Sequence, residues 1–374
     1  METINRMEVL IEGQRVGLMA PYQRYRTAFE YSEPWLNTGY SISPFALPLE
    51  KGTGFSKSDS FEGLFGVFYD SLPDGWGRLL VDRMLRKEGE DPEMITPLQR
   101  LSIVGESGLG ALEYKPIYNM RSSAGADDLD YLAAECSKIL SSEDSGDLDE
   151  LFALGGSSGG ARPKVMMNLD GEEWIIKFPS SADPEDIGLM EYEYNECARS
   201  CGIEIPETRL FTSKKCAGYF GSKRFDRVKA GDKLRKIHMA SASALLEVSH
   251  RVPALDYNSL MALTWQLTKQ MSEVESMYRL MCFNVFSHNR DDHSNNFSFL
   301  CDNGTWRLSP AYDLTYSNSI GGEHATTVNG EGREPGFDDL IAVGKKAGLK
   351  EMRLREITEE VRSEVGNRLS KYIH

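Results

Sequence analysis

The chain has 374 residues, 40% of them hydrophobic, and a formal net charge of −15. That much negative charge opposes a broad, sequence-independent grip on DNA or RNA, and no stretch approaches the ~20 apolar residues that a membrane-crossing helix needs. The length allows two domains with substantial cores. Cysteines scattered at Cys136, Cys197, Cys201, Cys216, Cys282 and Cys301 fit buried, reduced thiols, and the opening Met1–Met7 leads toward a strand rather than a signal peptide, so a cytoplasmic address is expected.

Residues 1–118 alternate short β-like runs with turns and include an amphipathic stretch near 75–88, which predicts a small α/β domain. Residues 119–150 hold nine acidic residues and few basic ones besides Lys138. A helical pattern runs from Asp130 to Leu140, and the segment reads as an acidic junction. Residues 151–250 read as a nucleotide-binding lobe. It opens with Leu154-Gly-Gly-Ser-Ser-Gly-Gly-Ala-Arg-Pro-Lys164, continues through Val165–Leu169, turns at Asp170-Gly171, and returns as Trp174–Phe178. Glycines let backbone N–H groups approach phosphate oxygens without obstruction by a Cβ, so this loop is a candidate cover for a triphosphate. It is neither a Walker A nor a GxGxxG loop, and glycine with serine also makes linkers.

Lys177 sits among Trp174, Ile175, Ile176 and Phe178, a setting that buries its stem and demands a partner for its charge. Asp183 and Pro184 are expected to open a helix that ends at Gly202. Glu191, Glu193 and Glu196 lie within it, as does the glutamate that holds the phosphate-binding lysine in protein kinases. Residues 251–374 are expected to form a mainly helical catalytic lobe. Apolar residues at Met277, Leu280, Met281, Phe283 and Phe286 suit a buried helix within 258–287, and Ile357, Val361, Val365 and Leu369 stripe one face of a terminal helix.

Between these helices lies the densest chemistry. Asp291 and Asn296 stand five apart, the spacing of the base and the metal-binding amide in kinase catalytic loops. Phe297–Leu300 and Thr305–Leu308 read as strands around an Asp302-Asn303-Gly304 turn. That hairpin would carry the chain out and return Asp313 as a second metal ligand. An alcohol nucleophile wants a carboxylate to take its proton, and triphosphate charge wants magnesium held by hard oxygens. ATP and Mg2+ are therefore the expected cofactors, and phosphoryl transfer the expected reaction.

As a set, these residues resemble the HipA family of serine/threonine kinases, toxins of bacterial toxin–antitoxin pairs. The likeness rests on Asp291-x-His293-x-x-Asn296-Phe-Ser, Pro310-Ala-Tyr-Asp313, Ile176-Lys-Phe-Pro179, Asn195-Glu196 and Lys223-Arg-Phe-Asp-Arg227. In the N-terminal part it rests on Phe68–Gly75 and Val104–Leu112. The resemblance implies an α+β fold in which the N-terminal domain precedes a two-lobed, protein-kinase-like domain. It makes Asp291 the base, Asn296 and Asp313 the metal ligands, Lys177 the phosphate-binding lysine and Glu196 its partner. It also implies that Gly159, Gly160, Ala161, Arg162 and Lys164 cover the phosphates, that Lys223, Arg224 and Phe225 form a hinge whose backbone meets adenine, and that His293 and Tyr312 lie in the ATP site. Ser157, or its neighbour Ser158, matches an autophosphorylated loop serine.

Family analogy further implies a protein substrate, with an aminoacyl-tRNA synthetase as precedent, and a helix-turn-helix antitoxin through which DNA is met indirectly. The segment Lys236–Leu245 departs from the better-known toxins, which bears on the substrate and leaves the phosphoryl-transfer core intact. Two other readings stand beside this one: a small-molecule phosphotransferase, and a non-catalytic, antitoxin-bound corepressor.

Overall fold

The computed structural model describes residues 1–23, 26–57, 59–120, 128–143, 147–231, 233–252, 254–319 and 321–373. It is an α+β protein, as the helix and strand patterns predict. The chain gathers into two compact units, Met1–Leu189 with Arg209–Met239, and Met190–Thr208 with Ala240–His374. These limits cut the chain differently from the expected domains. Residues 1–118 share one unit with most of the expected nucleotide-binding lobe. Parts of the expected acidic junction, 121–127 and 144–146, lie outside the described residues.

In the first unit, β1 (Met7–Ile11), β2 (Gln14–Tyr22) and β3 (Arg26–Tyr31) run antiparallel. Glu12 and Gly13 join the first two with φ of 50° and 75°, the paired positive values of a tight hairpin turn whose twist matches its strands. With β4 (Thr53–Phe55) and β5 (Leu112–Lys115) the sheet order is β4-β3-β2-β1-β5. Four helices accompany it: α1 (Glu33–Thr38), α2 (Gly66–Tyr69), α3 (Gly75–Lys87) and α4 (Pro97–Val104). Thr96 and Gln99 cap α4 reciprocally ahead of Pro97, which satisfies N–H groups the helix cannot. Along α3, Trp76, Leu80, Val81, Met84 and Leu85 are buried, the stripe that a one-faced helix needs.

The acidic segment turns out to be more than a junction. Its helices α5 (Leu129–Leu140) and α6 (Leu148–Gly155) point Leu132, Cys136, Ile139 and Leu151 into the same core as Trp76 and Leu80 of α3. A second sheet shares that core through Val165, Trp174 and Ile176. Its strands are β6 (Lys164–Leu169), β7 (Glu172–Lys177), β8 (Thr208–Phe211) and β9 (Tyr219–Lys223), in the order β6-β7-β9-β8. The expected Asp170-Gly171 turn is present, with φ of 54° and 78°. Helix α7 (Ile187–Ser200) starts later than Asp183 and Pro184 predict. Asp183 instead accepts from the Ser180 N–H and hydroxyl and pairs with Arg162.

A buried charge cluster fixes the other end of this unit. Asp226 accepts from Arg224 (2.8 Å), Arg227 (2.9 Å) and the Gly110 N–H (2.7 Å). Both guanidinium groups also donate to the Gly108 carbonyl, and Glu173 faces both. Burial alone would raise the Asp226 carboxyl, but the two arginines hold it below the usual carboxylate range. The hairpin of β10 (Arg227–Ala230) and β11 (Lys233–Lys236) follows, then β12 (His238–Ser241).

The second unit is mainly helical. After α8 (Ala242–Leu246) and the short β13 (Leu255–Asp256), the apolar stretch expected as one buried helix forms two, α9 (Tyr257–Thr268) and α10 (Met271–Phe286). The break is Lys269, whose φ of 57° reverses the chain while its N–H still bonds Trp265. The hairpin of β14 (Ser298–Asp302) and β15 (Thr305–Leu308) continues a sheet with β12, and β16 (Thr326–Thr327) pairs in parallel with β13. Helices α11 (Phe337–Lys346) and α12 (Glu351–Leu369) close the unit, with Ile357, Val361, Val365 and Leu369 buried as the stripe predicts. Among the described residues no helix is long and apolar enough to cross a membrane. All six thiols are unbridged and only Cys216 is partly exposed.

His238 makes the first unit acid-sensitive. Its Nε2 donates to the Ile42 carbonyl at 2.8 Å, and burial pushes its pKa down to about 4. Below the ordinary histidine pKa of ~6.5 the unfolded chain binds a proton that the folded chain refuses, so stability drains away from about pH 6.5 down to about pH 4, by about 3 kcal/mol in total. Urea unfolding of the wild type and His238→Gln across that range should show a shallower pH slope in the variant.

Candidate active site

The second unit carries the expected catalytic loop. Helix α10 ends at Phe286, His288 takes a φ of 53°, and the chain then runs outside helix and strand through residue 292, with Asn289 bridged to Ser317. Backbone bonds hold this run: Ser317 N–H to the His288 carbonyl (3.1 Å), Arg290 N–H to Ser317 (3.3 Å) and Ala325 N–H to Arg290 (3.1 Å). The side chain of Asp291 is 63% exposed and that of its neighbour Asp292 wholly buried.

The chain next makes one tight turn at Ser294–Asn296, and Asn296 Nδ2 donates to the Asp291 carbonyl at 2.7 Å. With its nitrogen committed inward, the amide has Oδ1 left to offer a cation. His293 Nε2 lies 3.8 Å from Asp291 Oδ1, and its ring packs 5.5 Å from that of His250.

The hairpin brings the chain back as predicted. Asn303 and Gly304, both at positive φ, turn β14 into β15, and the Ser309 N–H bonds the Ser298 carbonyl at 2.9 Å. Tyr312 then donates to the Asn295 carbonyl (2.5 Å), with its hydroxyl 2.6 Å from Ser298 Oγ. Tyr312, expected to contact ATP, therefore braces the loop with its hydroxyl. Asp313 comes next in a left-handed conformation, φ 54°, which aspartate tolerates better than most residues and which recurs where function dictates backbone shape.

An amide oxygen and a carboxylate are the hard donors magnesium takes, commonly one or two from protein with the rest from water and phosphate. Among the described residues no group of three or more His, Cys, Asp or Glu side chains is placed to hold a metal ion.

On α7 the structure redistributes the glutamates. Glu196, expected to partner Lys177, is 38% exposed at its side chain, pairs with Arg199 and accepts from Thr208 at 3.4 Å. Glu191 is the buried one, 2% exposed. The helix faces explain this, because residues five apart cannot share one, and the choice of Glu196 followed sequence likeness rather than facing.

The first unit holds the glycine-rich segment on a seat formed by the start of α3. Trp76 N–H bonds the Gly160 carbonyl (2.9 Å), and Trp76 Nε1 bonds that of Lys164 (3.0 Å). A Cβ on Gly75 would stand 2.4 Å from the Gly160 oxygen, and one on Gly77 2.2 Å from that of Ser158. Only glycines allow this approach.

The Gly159 carbonyl accepts from Lys164 Nζ at 2.6 Å and that of Gly160 from Trp76, while Gly160 and Ala161 themselves stay exposed. Arg162 is paired with Asp183, and Ala161 follows at the seat's edge. Ser158 is fully buried and bonds Gly155, whereas half-buried Ser157 donates to the Ser107 carbonyl (3.0 Å).

Lys177 closes β7 with its ammonium 5.6 Å from the Phe220 ring centroid. Lys223 pairs with Glu172 at 2.6 Å, lowering that carboxyl, and Phe225 is half-buried. The Arg224 guanidinium serves the Asp226 cluster, and its N–H bonds the Glu173 carbonyl at 2.8 Å. Sequence reasoning weighed Glu191 but set it below Glu196, and gave no role to Asp292 or to Asp226. The adjacent Asp291-Asp292 pair was the available sign that one carboxylate faces inward.

Three comparisons bear on this geometry. The HipA N-terminal domain family matches residues 7–115, and the HipA-like C-terminal domain family matches residues 156–369. The solved HipA of the Shewanella oneidensis toxin–antitoxin system, determined with HipB and operator DNA, is 16% identical, with a TM-score of 0.73 over 98% of this chain and 90% of that one. The Helicobacter pylori proinflammatory kinase CtkA is 15% identical, with a TM-score of 0.39 over 57% of this chain and 89% of that one. No curated protein matches. With both domain families matched along most of its length and a HipA fold spanning nearly all of it, the chain belongs to the HipA family.

Proposed function

We propose that the chain is an ATP-dependent serine/threonine protein kinase acting as the toxin of a toxin–antitoxin pair. The observation that carries this reading is the hydrogen bond from Asn296 Nδ2 to the Asp291 carbonyl. It fixes a metal-seeking amide oxygen relative to an exposed carboxylate, while Tyr312, bonded to Asn295, leads directly into Asp313. This arrangement supports the base and ligand roles that phosphoryl transfer requires.

In the proposed reaction Asp291 orients a substrate hydroxyl and accepts its proton. The hydroxyl oxygen bonds to the γ-phosphorus as the bond to the β,γ-bridging oxygen breaks, and ADP departs with that electron pair. Mg2+ held by Asn296 Oδ1 and Asp313 would neutralise phosphate charge. Lys177 supplies a cation for the phosphates, and the backbone of Lys223–Phe225 contacts the nucleotide base. The substrate is a cytoplasmic protein, for which family analogy suggests an aminoacyl-tRNA synthetase. The Shewanella protein was solved with HipB and DNA, which supports an antitoxin partner here. A net charge of −15 favours meeting DNA through that partner.

Asp291→Asn keeps size but removes the proton acceptor. Phosphoryl transfer from labelled ATP should fall about 10²- to 10⁴-fold, while Mg-ATP affinity measured by calorimetry stays near wild type. Full activity in this variant would overturn the reading.

The two glutamates of α7 should separate cleanly. Glu191→Gln should weaken ATP use, because a buried carboxylate is held for a purpose, and Glu196→Gln should leave it close to wild type, because an exposed pair contributes little. ATP kinetics of the two variants side by side provide the check.

Autophosphorylation, if it occurs in the glycine-rich segment, should fall on Ser157 and spare Ser158, whose side chain is buried against Gly155. A phosphate at Ser157 adds about −1.5 to −2 charges and ends its bond to Ser107. Mass spectrometry after incubation with Mg-ATP should find one modified serine at this pair, absent in Asp291→Asn.

A further inference from the structure

The candidate base is displayed by a run of chain whose neighbouring residues Asn289 and Asp292 are tied into a buried polar network. Asp292 is fully enclosed, yet each of its oxygens has a partner. Oδ2 accepts from Tyr257 Oη (2.8 Å) and lies 2.9 Å from His324 Nδ1, Oδ1 accepts from the Thr326 N–H (3.2 Å), and the carbonyl accepts from Thr326 Oγ1 (2.5 Å). Tyr257 Oη in turn accepts from Asn284 Nδ2 (2.9 Å), and Asn284 Oδ1 accepts from Asn289 Nδ2 (3.0 Å). The network therefore begins and ends on the same five residues, 288–292.

Such a network is costly. An enclosed carboxylate survives only with every partner present, and an apolar side chain of similar volume would fill the space at lower expense. What it supplies is a single permitted arrangement. Asp291 and Asp292 are adjacent, so the bonds that hold the Asp292 side chain and carbonyl fix the backbone from which Asp291 projects, and a rotation that freed one would misdirect the other.

The partners on the far side come from residues 317–326, the chain that follows Asp313. They reach the run through Ser317 and Ala325 by backbone and through His324 and Thr326 by side chain. His324 is itself held by its N–H on the Gly332 carbonyl at 2.7 Å, and Thr326 by the pairing of β16 with β13.

We infer that Asp292 and His324 are positioning residues for phosphoryl transfer: the buried pair lets the chain downstream of Asp313 set the direction of Asp291. This rests on the kinase reading given above. It makes the two functional carboxylates, Asp291 and Asp313, mechanically dependent on one segment, although neither touches His324 in the network described.

The test compares His324→Ala, which empties the position, with His324→Asn, whose amide nitrogen takes the place of Nδ1. Transfer from labelled ATP to dephosphorylated casein and to the protein itself is measured with Mg-ATP titration, thermal melting and hydrogen exchange. The expected result for His324→Ala is a 10- to 100-fold fall in kcat, the scale on which a small misplacement acts, with KM for ATP within about two-fold. Exchange should quicken in peptides covering 288–296 and not in α12, and His324→Asn should recover most of the rate and the protection.

Unchanged kcat in His324→Ala, or a uniform loss of protection and melting temperature with kcat and KM affected alike and no rescue by asparagine, would overturn the inference. Should the wild type transfer no phosphate and bind no Mg-ATP, the kinase reading fails. Hydrogen exchange then decides the clamp alone: selective loss over 288–296 in His324→Ala upholds it, and unchanged protection ends it.

Discussion

A carboxylate enclosed with two guanidinium groups is the constraint about which the first unit is organised. Asp226, Arg224 and Arg227 are all nearly free of solvent, and Arg224 and Arg227 still need acceptors beyond one aspartate. The Gly108 and Gly110 carbonyls and Glu173 provide them. Removing any contributor would strand a buried charge, an error costing several kcal/mol. Residues 104–112, the first residues of β7 and the stretch after β9 are thereby obliged to assemble together, far apart in sequence as they are. The motif Lys223–Arg227 is recognisable because of this structural duty at least as much as because of any contact with a nucleotide.

The glycine-rich segment shows a similar division of labour. Glycines at 75 and 77 on α3 permit backbone approaches that a Cβ would forbid, and Gly160 on the loop takes a φ of 84°. Trp76 adds two hydrogen bonds and its bulk to the core. The N-terminal region is consequently part of the seat on which the loop rests. Half-buried Ser157 lies at the margin of that seat, while Ser158 belongs to its interior.

Much of this was legible beforehand wherever local rules dominate. The turns at Asp170-Gly171 and Asn303-Gly304 carry their positive φ values in their residue types, and the stripe on α12 announces its core face. The D-x4-N spacing was readable because both ends belong to one local loop, where the asparagine reaches the aspartate's own carbonyl. What escaped was set by partners distant in the chain. Nothing near Arg224 reveals Gly108, and nothing near Asp183 reveals Arg162, which pairs with its carboxylate while the neighbouring Ser180 donates to it. Lys269 in a left-handed turn is likewise invisible to periodicity, since the apolar pattern continues across it. Glu191 and Glu196 could have been separated by helix geometry alone, had burial rather than likeness guided the choice.

The two compact units are interleaved along the chain, which passes from one to the other at residues 189, 208 and 239. During synthesis the order of completion follows from this. Strand β7 emerges well before its neighbour β9, and until residues 219–223 appear its far edge has no strand to pair with. Nascent chains fold by units as their residues become available, so the first unit can close only when the ribosome has passed residue 239. At that moment the stretch 190–208 is still waiting for most of its own unit, and Asp291 has yet to be made. The glycine-rich segment and Lys177 are thus completed early, and Asp291 and Asp313 last. An incomplete chain, whatever its stability, would be released without those two carboxylates.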